Sequence, residues 1–324
     1  MRNYLGRFKR FVTGAAAAAA PSSAPTYDEQ LSREGVKWGN ETQTERTERW
    51  INWLQHPVIL DHYVKKGLID GQPWEQWVKT ALGGPATKSL ELGCGPAHGS
   101  LRIFSAGSSN YLEGLDVSEE AVEQGERSFA SVGAPGKVWV GDVNQVQLAE
   151  NSYDLIFACH SFHHFLNLEH VMAQVQRALT PRGLFILDEF TGPTQFQWTD
   201  QQLEMVRALL ALLPDRLRQY PWQMRKDFEP RPTPAEVVAV SPFESIRSAE
   251  IYRLFQENFE VVVERSLGGT LQHLLYNNIA HNFDPDDPEA NRIIHCVESI
   301  ETKLIETGLL SADFMLLIGK RRDT

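Results

Sequence analysis

The sequence predicts an α/β fold built on a seven-stranded sheet with helical additions. Two observations carry this prediction. From about residue 85, short apolar runs alternate with helix-period patterns, as a parallel sheet of βα units requires. After residue 190 the alternation stops, helical stretches intervene, and two late strand-like runs close the chain.

The elements follow in order. Strand one is read at residues 88–92, then a glycine-rich turn and a short helix near 100–104. Strand two spans 111–117, and Ser118 caps a helix over 118–131 whose first turn carries Glu119 and Glu120. Strands three and four are 137–140 and 153–158. Asn167 is expected to cap the next helix, where Leu168, Val171, Met172, Val175 and Leu179 repeat at helical spacing until Pro181 and Gly183 end it. Strand five is 184–188, strand six 259–265 and strand seven 314–319. Thr199 and Gln202 stand at capping-box spacing. The domain plan is a basic tail and Ala/Pro/Ser linker at 1–26, a helical extension at 27–82, and a core at 83–324 with lid insertions at 191–258 and 266–310.

Composition narrows the function. The net charge of -11 repels phosphate backbones, so nucleic acid is not the expected partner. No run of eighteen apolar residues is free of charge, so no transmembrane segment is expected. The three cysteines, Cys94, Cys159 and Cys296, are far apart and form no disulfide framework, which fits a cytoplasmic protein. Residues 1–12 carry Arg2, Arg7, Lys9 and Arg10 with Leu5, Phe8 and Phe11. They read as a tail, with weak contact at a membrane surface as the alternative.

The chemistry concentrates at the ends of successive strands. Glu91-Leu92-Gly93-Cys94-Gly95-Pro96-Ala97-His98-Gly99 follows strand one. Its glycines let backbone approach a ligand, and the next helix offers free N–H groups. An acid two positions before the first glycine suits an ammonium group better than a pyrophosphate. Asp116 ends strand two, where a carboxylate can accept both ribose hydroxyls. Asp142 follows strand three and can accept from an adenine amino group, with Val117 and Val143 as apolar flanks.

With these motifs in register, residues 85–190 resemble class I, Rossmann-like S-adenosylmethionine-dependent methyltransferases. Leu90-Glu91-Leu92-Gly93-Cys94-Gly95, Gly114-Leu115-Asp116-Val117-Ser118, Gly141-Asp142-Val143, Tyr153-Asp154-Leu155-Ile156-Phe157 and the turn Ala178-Leu179-Thr180-Pro181-Arg182-Gly183 carry the resemblance. It implies S-adenosylmethionine as cofactor, bound by Glu91, Gly93, Cys94, Gly95, Asp116, Val117, Asp142, Val143 and Cys159. Asp188-Glu189-Phe190-Thr191-Gly192-Pro193 and Ser241-Pro242-Phe243-Glu244 resemble more loosely a bacterial subfamily that accompanies surface-polysaccharide synthesis. That implies a small-molecule or glycan-precursor acceptor, methylated at a hydroxyl.

A hydroxyl acceptor needs a base, and His163, His164 and Glu189 are the candidates, with Asp188 and His273 behind them. His160, His163 and His164 with Asp188 or Glu189 form a weaker divalent-metal alternative, and no metal is expected. Trp198, Tyr220 and Trp222 read as lid core, with sugar stacking as the alternative. A catalytically silent cofactor-binding partner protein and an NAD-type oxidoreductase remain the competing functions.

Overall fold

The computed structural model describes residues 25–44 and 52–322; the basic tail at 1–12 lies outside them. Seven strands form one sheet in the order β3-β2-β1-β4-β5-β7-β6. They are β1 Ser89–Leu92, β2 Leu112–Asp116, β3 Gly136–Val140, β4 Tyr153–Cys159, β5 Leu179–Phe190, β6 Phe259–Gly268 and β7 Phe314–Arg321. The first five pair in parallel, and β7 runs antiparallel between β5 and β6. The strand order reverses at β1 and β4, so the crossovers on either side diverge and leave a crevice beyond the carboxyl ends.

Eleven α-helices surround the sheet among the described residues. They are α1 Tyr27–Thr44, α2 Pro57–Lys66, α3 Trp74–Ala81, α4 His98–Ser105, α5 Glu119–Val132, α6 Leu168–Ala178, α7 Asp200–Leu212, α8 Pro234–Val240, α9 Ser248–Asn258, α10 Gln272–Tyr276 and α11 Pro288–Glu306. Strand side chains alternate between the two faces. Leu155, Phe157, Leu184 and Ile186 pack with Ile103 and Trp74 on one face. Ile156, Ala158, Phe185 and Leu187 pack with Val171, Met172, Ile251 and Phe255 on the other. The last helix of the 191–258 segment, α9, is therefore part of this second layer.

Several local expectations change. Ser118 caps α5 as read, accepting from the Ala121 N–H at 3.3 Å. Asn167 does not cap α6 with its side chain. Instead, Asn144 Oδ1 accepts from the N–H groups of Leu166 and Asn167, a long-range substitute that local spacing does not reveal. Thr199 accepts from the Gln202 N–H, but the Gln202 amide leaves the capping box to bond Thr270 O and Asp313 Oδ2. Strand β5 begins at Leu179, paired with Tyr153, before a register shift brings Leu184 opposite Leu155.

That bulge is tied down by Asp154. Its carboxylate is buried and accepts from Thr87 N–H, Thr180 Oγ1 and the Arg182 guanidinium. Burial alone would raise its pKa; these donors outweigh that and hold it well below the usual carboxylate range. Asp154→Ala leaves three donors without their acceptor. The expected loss is about 1–3 kcal/mol of unfolding free energy, given Arg182's exposure to water. It should appear as a lower denaturant midpoint at an unchanged slope; an unchanged midpoint would remove this role.

Candidate functional site

The crevice holds a cavity of about 380 Å³ lined by Glu91, Gly93, Cys94, Gly95, Asp116, Val117, Asp142, Val143, Cys159 and His164 together with residues of α1. Every cofactor-binding residue expected from sequence therefore faces one space. Two of these positions require glycine or its equivalent freedom. Gly93 has φ +63°, and a Cβ there would stand 2.7 Å from Ser161 Cβ. Gly95 has φ +50°. The left-handed backbone turns the chain sharply from β1 into α4.

Asp116 shapes this turn as well as facing the cavity. Its Oδ2 accepts from Gly95 N–H at 2.7 Å and its Oδ1 from Ser118 N–H at 2.9 Å. Burial raises its pKa, against the opposing pull of those N–H groups. Glu91 accepts from both the N–H and the hydroxyl of Ser100 through Oε2, each at 2.7 Å. Burial pushes its pKa up to about 7, although the Ser100 bonds oppose the rise. Asp142 is more heavily engaged than the sequence suggests. It accepts from Asn144 N–H and Nδ2, Gln145 Nε2, and the Tyr27 hydroxyl of α1 at 2.7 Å. An adenine amino group would share or displace one of these donors. Burial raises the thiol pKa of both Cys94 and Cys159, so neither is an activated nucleophile.

The three candidate bases sit in one polar cluster beside the cavity. Glu189 is fully buried, and its two oxygens accept from Ser161 N–H, Phe162 N–H, Phe190 N–H and His163 Nδ1. These four bonds saturate it, so it positions the loop after β4 rather than taking a substrate proton. Burial opposes charge on His163, but the flanking Glu189 and Glu244 raise its pKa to about 10. An imidazolium so held donates protons and does not accept them, and His163 does not line the cavity. His164 does line it. Its Nδ1 lies 3.0 Å from Glu34 Oε1 and its ring meets Trp38 edge-on at 4.8 Å.

The sequence missed Tyr63, Glu34 and Glu244. The Tyr63 hydroxyl donates to Asp188 Oδ1 at 2.5 Å, and His160 Nε2 lies 3.8 Å from the same oxygen. His160 is 39% exposed and lines two cavities. The second cavity, about 650 Å³, shares His98, Arg102 and His160 with the first and is otherwise lined largely by Leu54, Leu60, Val64, Trp74, Leu267 and Leu316. His273 lies deeper, among Trp53, Phe190, Trp198 and Phe314. Burial pushes its pKa down to about 4, which keeps it neutral.

Residues 90–187, from β1 into β5, match the protein family described as a methyltransferase domain. The core of this chain is an S-adenosylmethionine-dependent methyltransferase domain. S-adenosylmethionine is its cofactor, and the acids and glycines of the first cavity fit that group. This chain is 30% identical over 100 residues to a sterol 4-C-methyltransferase of Caenorhabditis elegans, a match covering 30% of this chain and 29% of that protein, so the chain spans under a third of that relative's length. It is 24% identical over 191 residues to the 27-O-demethylrifamycin SV methyltransferase of Amycolatopsis mediterranei, covering 54% of this chain and 69% of that one. A solved geranyl diphosphate methyltransferase aligns with a TM-score of 0.47 and 13% identity over 77% of each chain.

Two measurements test the cofactor site. Asp116→Ala removes an acceptor from the cavity and from the Gly95 turn together, so S-adenosylhomocysteine affinity should fall by about 10- to 150-fold in calorimetry. Unchanged affinity would sink the assignment. Glu91, expected from the sequence to face the ligand's ammonium group, must be ionised to help. Below its pKa of about 7, binding has to expel a proton, so affinity should weaken as pH falls from 7 to 5.5, approaching roughly tenfold per unit, and be flat from 7.5 to 8.5. Glu91→Gln should abolish that slope; a slope that survives belongs to another group.

Proposed function

We propose that this protein methylates a small molecule with a largely apolar body, at a hydroxyl placed beside His160. The observation that carries this is the shared wall. His98, Arg102 and His160 stand between a cavity whose acids and glycines fit S-adenosylmethionine and a larger one whose lining is mainly apolar. When bound, S-adenosylmethionine supplies an electrophilic methyl group on its sulfonium. The chain's contribution is to align the acceptor with it and to exclude water, which can be worth up to about 7–11 kcal/mol.

The polar end of the second cavity gives the acceptor's proton a destination. His160 accepts it, Asp188 favours the resulting imidazolium, and Tyr63 fixes the Asp188 carboxylate. The helical extension, through Leu54, Leu60, Tyr63, Val64 and Trp74, walls this side; of the segments expected as lids at 191–258 and 266–310, Leu267 is the residue that reaches it. The apolar lining turns the reading away from a glycan precursor, which would expose hydroxyls to leucine and valine. The names of the relatives, a sterol and a rifamycin methyltransferase, agree with an acceptor of this kind.

The direct experiment supplies labelled S-adenosylmethionine to fractionated extract of the source cell. Label should enter solvent-extractable small molecules. Label confined to saccharides would restore the glycan reading, and no label despite cofactor binding would favour a silent partner protein. With the acceptor in hand, His160→Asn, which tolerates the left-handed backbone found there, should lower kcat by about 10²- to 10⁴-fold with S-adenosylhomocysteine affinity retained. An unchanged kcat would exclude His160 as the base.

A further inference from the structure

We infer that His163, His164 and Glu244 form a binding site for a divalent transition-metal ion at the rim of the cofactor cavity. One ligand atom from each lies within 4.8 Å of the others. His163 Nε2 and His164 Nε2 stand 3.6 and 3.8 Å from the same oxygen, Glu244 Oε1. These separations are long for hydrogen bonds. They are close to the edge of about 3.4 Å that donors held about 2.1 Å from a tetrahedral ion subtend.

The surroundings match a metal centre more closely than a set of ion pairs. Each donor group turns its remaining polar atom outward to a fixed partner. His163 Nδ1 meets Glu189 Oε1 at 2.5 Å, His164 Nδ1 faces Glu34 Oε1 at 3.0 Å, and Lys37 Nζ reaches Glu244 Oε2 at 3.3 Å. The Glu189 carboxylate behind His163 Nδ1 fixes that imidazole's tautomer and orientation for coordination through Nε2, and Glu34 stands on the Nδ1 side of His164. Neither ring nitrogen of the largely buried His164 makes a well-aligned hydrogen bond among the described residues. Glu34, Glu189 and Glu244 surround the two imidazoles with carboxylates, and coordination would replace the proton that His163 otherwise carries. Two imidazoles and one carboxylate select zinc, cobalt, nickel or ferrous iron over magnesium or calcium.

The ion would tie three distant segments together. The histidines belong to the turn after β4, Glu244 lies between α8 and α9, and the outer partners Glu34 and Lys37 belong to α1. Three protein donors leave a coordination position open beside His164, which lines the cofactor cavity. The proposal stands on this geometry and does not depend on the identity of the acceptor.

The test uses the full, untagged chain, stripped with chelator and titrated with Co²⁺ by visible spectroscopy and with Zn²⁺ by calorimetry. One equivalent should bind, with d–d bands of a nitrogen–oxygen site and a rise in thermal midpoint. Glu244→Gln and His164→Asn should abolish the bands, and Glu34→Gln should weaken binding by about 10- to 100-fold. Should His164→Asn fail to fold, the isosteric Glu244→Gln carries the test alone. No stoichiometric binding, or binding unchanged in Glu244→Gln, would overturn the site.

Discussion

The structure depends on carboxylates buried at the carboxyl edge of a parallel sheet. Glu91, Asp116 and Glu189 lie toward the ends of strands there, Glu34 reaches in from α1, and each is at most 9% exposed. A buried carboxylate without partners is costly, so each must collect hydrogen-bond donors. Those donors are backbone N–H groups of the turns that make the site. Asp116 draws in Gly95 and Ser118, and Glu189 draws in Ser161, Phe162 and Phe190. The acids thus fix the loops first and face the ligand second.

The same requirement brings the N-terminal helix into the site. Tyr27 completes Asp142, while Glu34 collects Trp38, Ser241 and the neighbourhood of His164. Helix α1 thereby closes one side of the cofactor cavity through polar contacts. Beyond His160 the packing is aromatic: Tyr63, His160 and Phe314 lie within 6.1 Å of one another by ring centroids. His98, Arg102 and His160 line both the cofactor cavity and the second one.

The parts readable in the sequence are those with local signals. The βα alternation, the glycine turn, and the acids Glu91, Asp116 and Asp142 each follow a strand by a few residues, so periodicity finds them. The polysaccharide resemblance, carried by short loop segments, said nothing of the apolar lining beside Tyr63 and Leu316. Tyr63 meets Asp188 across 125 residues, and Glu34 meets Ser241 across 207. No spacing rule reaches that far. The three candidate bases lie together beside the cavity, but their protonation and access depend on partners such as Glu244 that only the folded chain supplies. Asn144 in the place of a local cap for α6 is the same lesson on a smaller scale.

The central claim is that the two cavities are halves of one reaction site, joined at the His98–Arg102–His160 wall. A crystal structure of the complex with S-adenosylhomocysteine tests it most directly. The account predicts the ribose on Asp116, the adenine beside Asp142 and Val143, and the sulfur turned toward His160 and the apolar cavity. A sulfur turned away from that wall, with the second cavity sealed from it, would contradict the account.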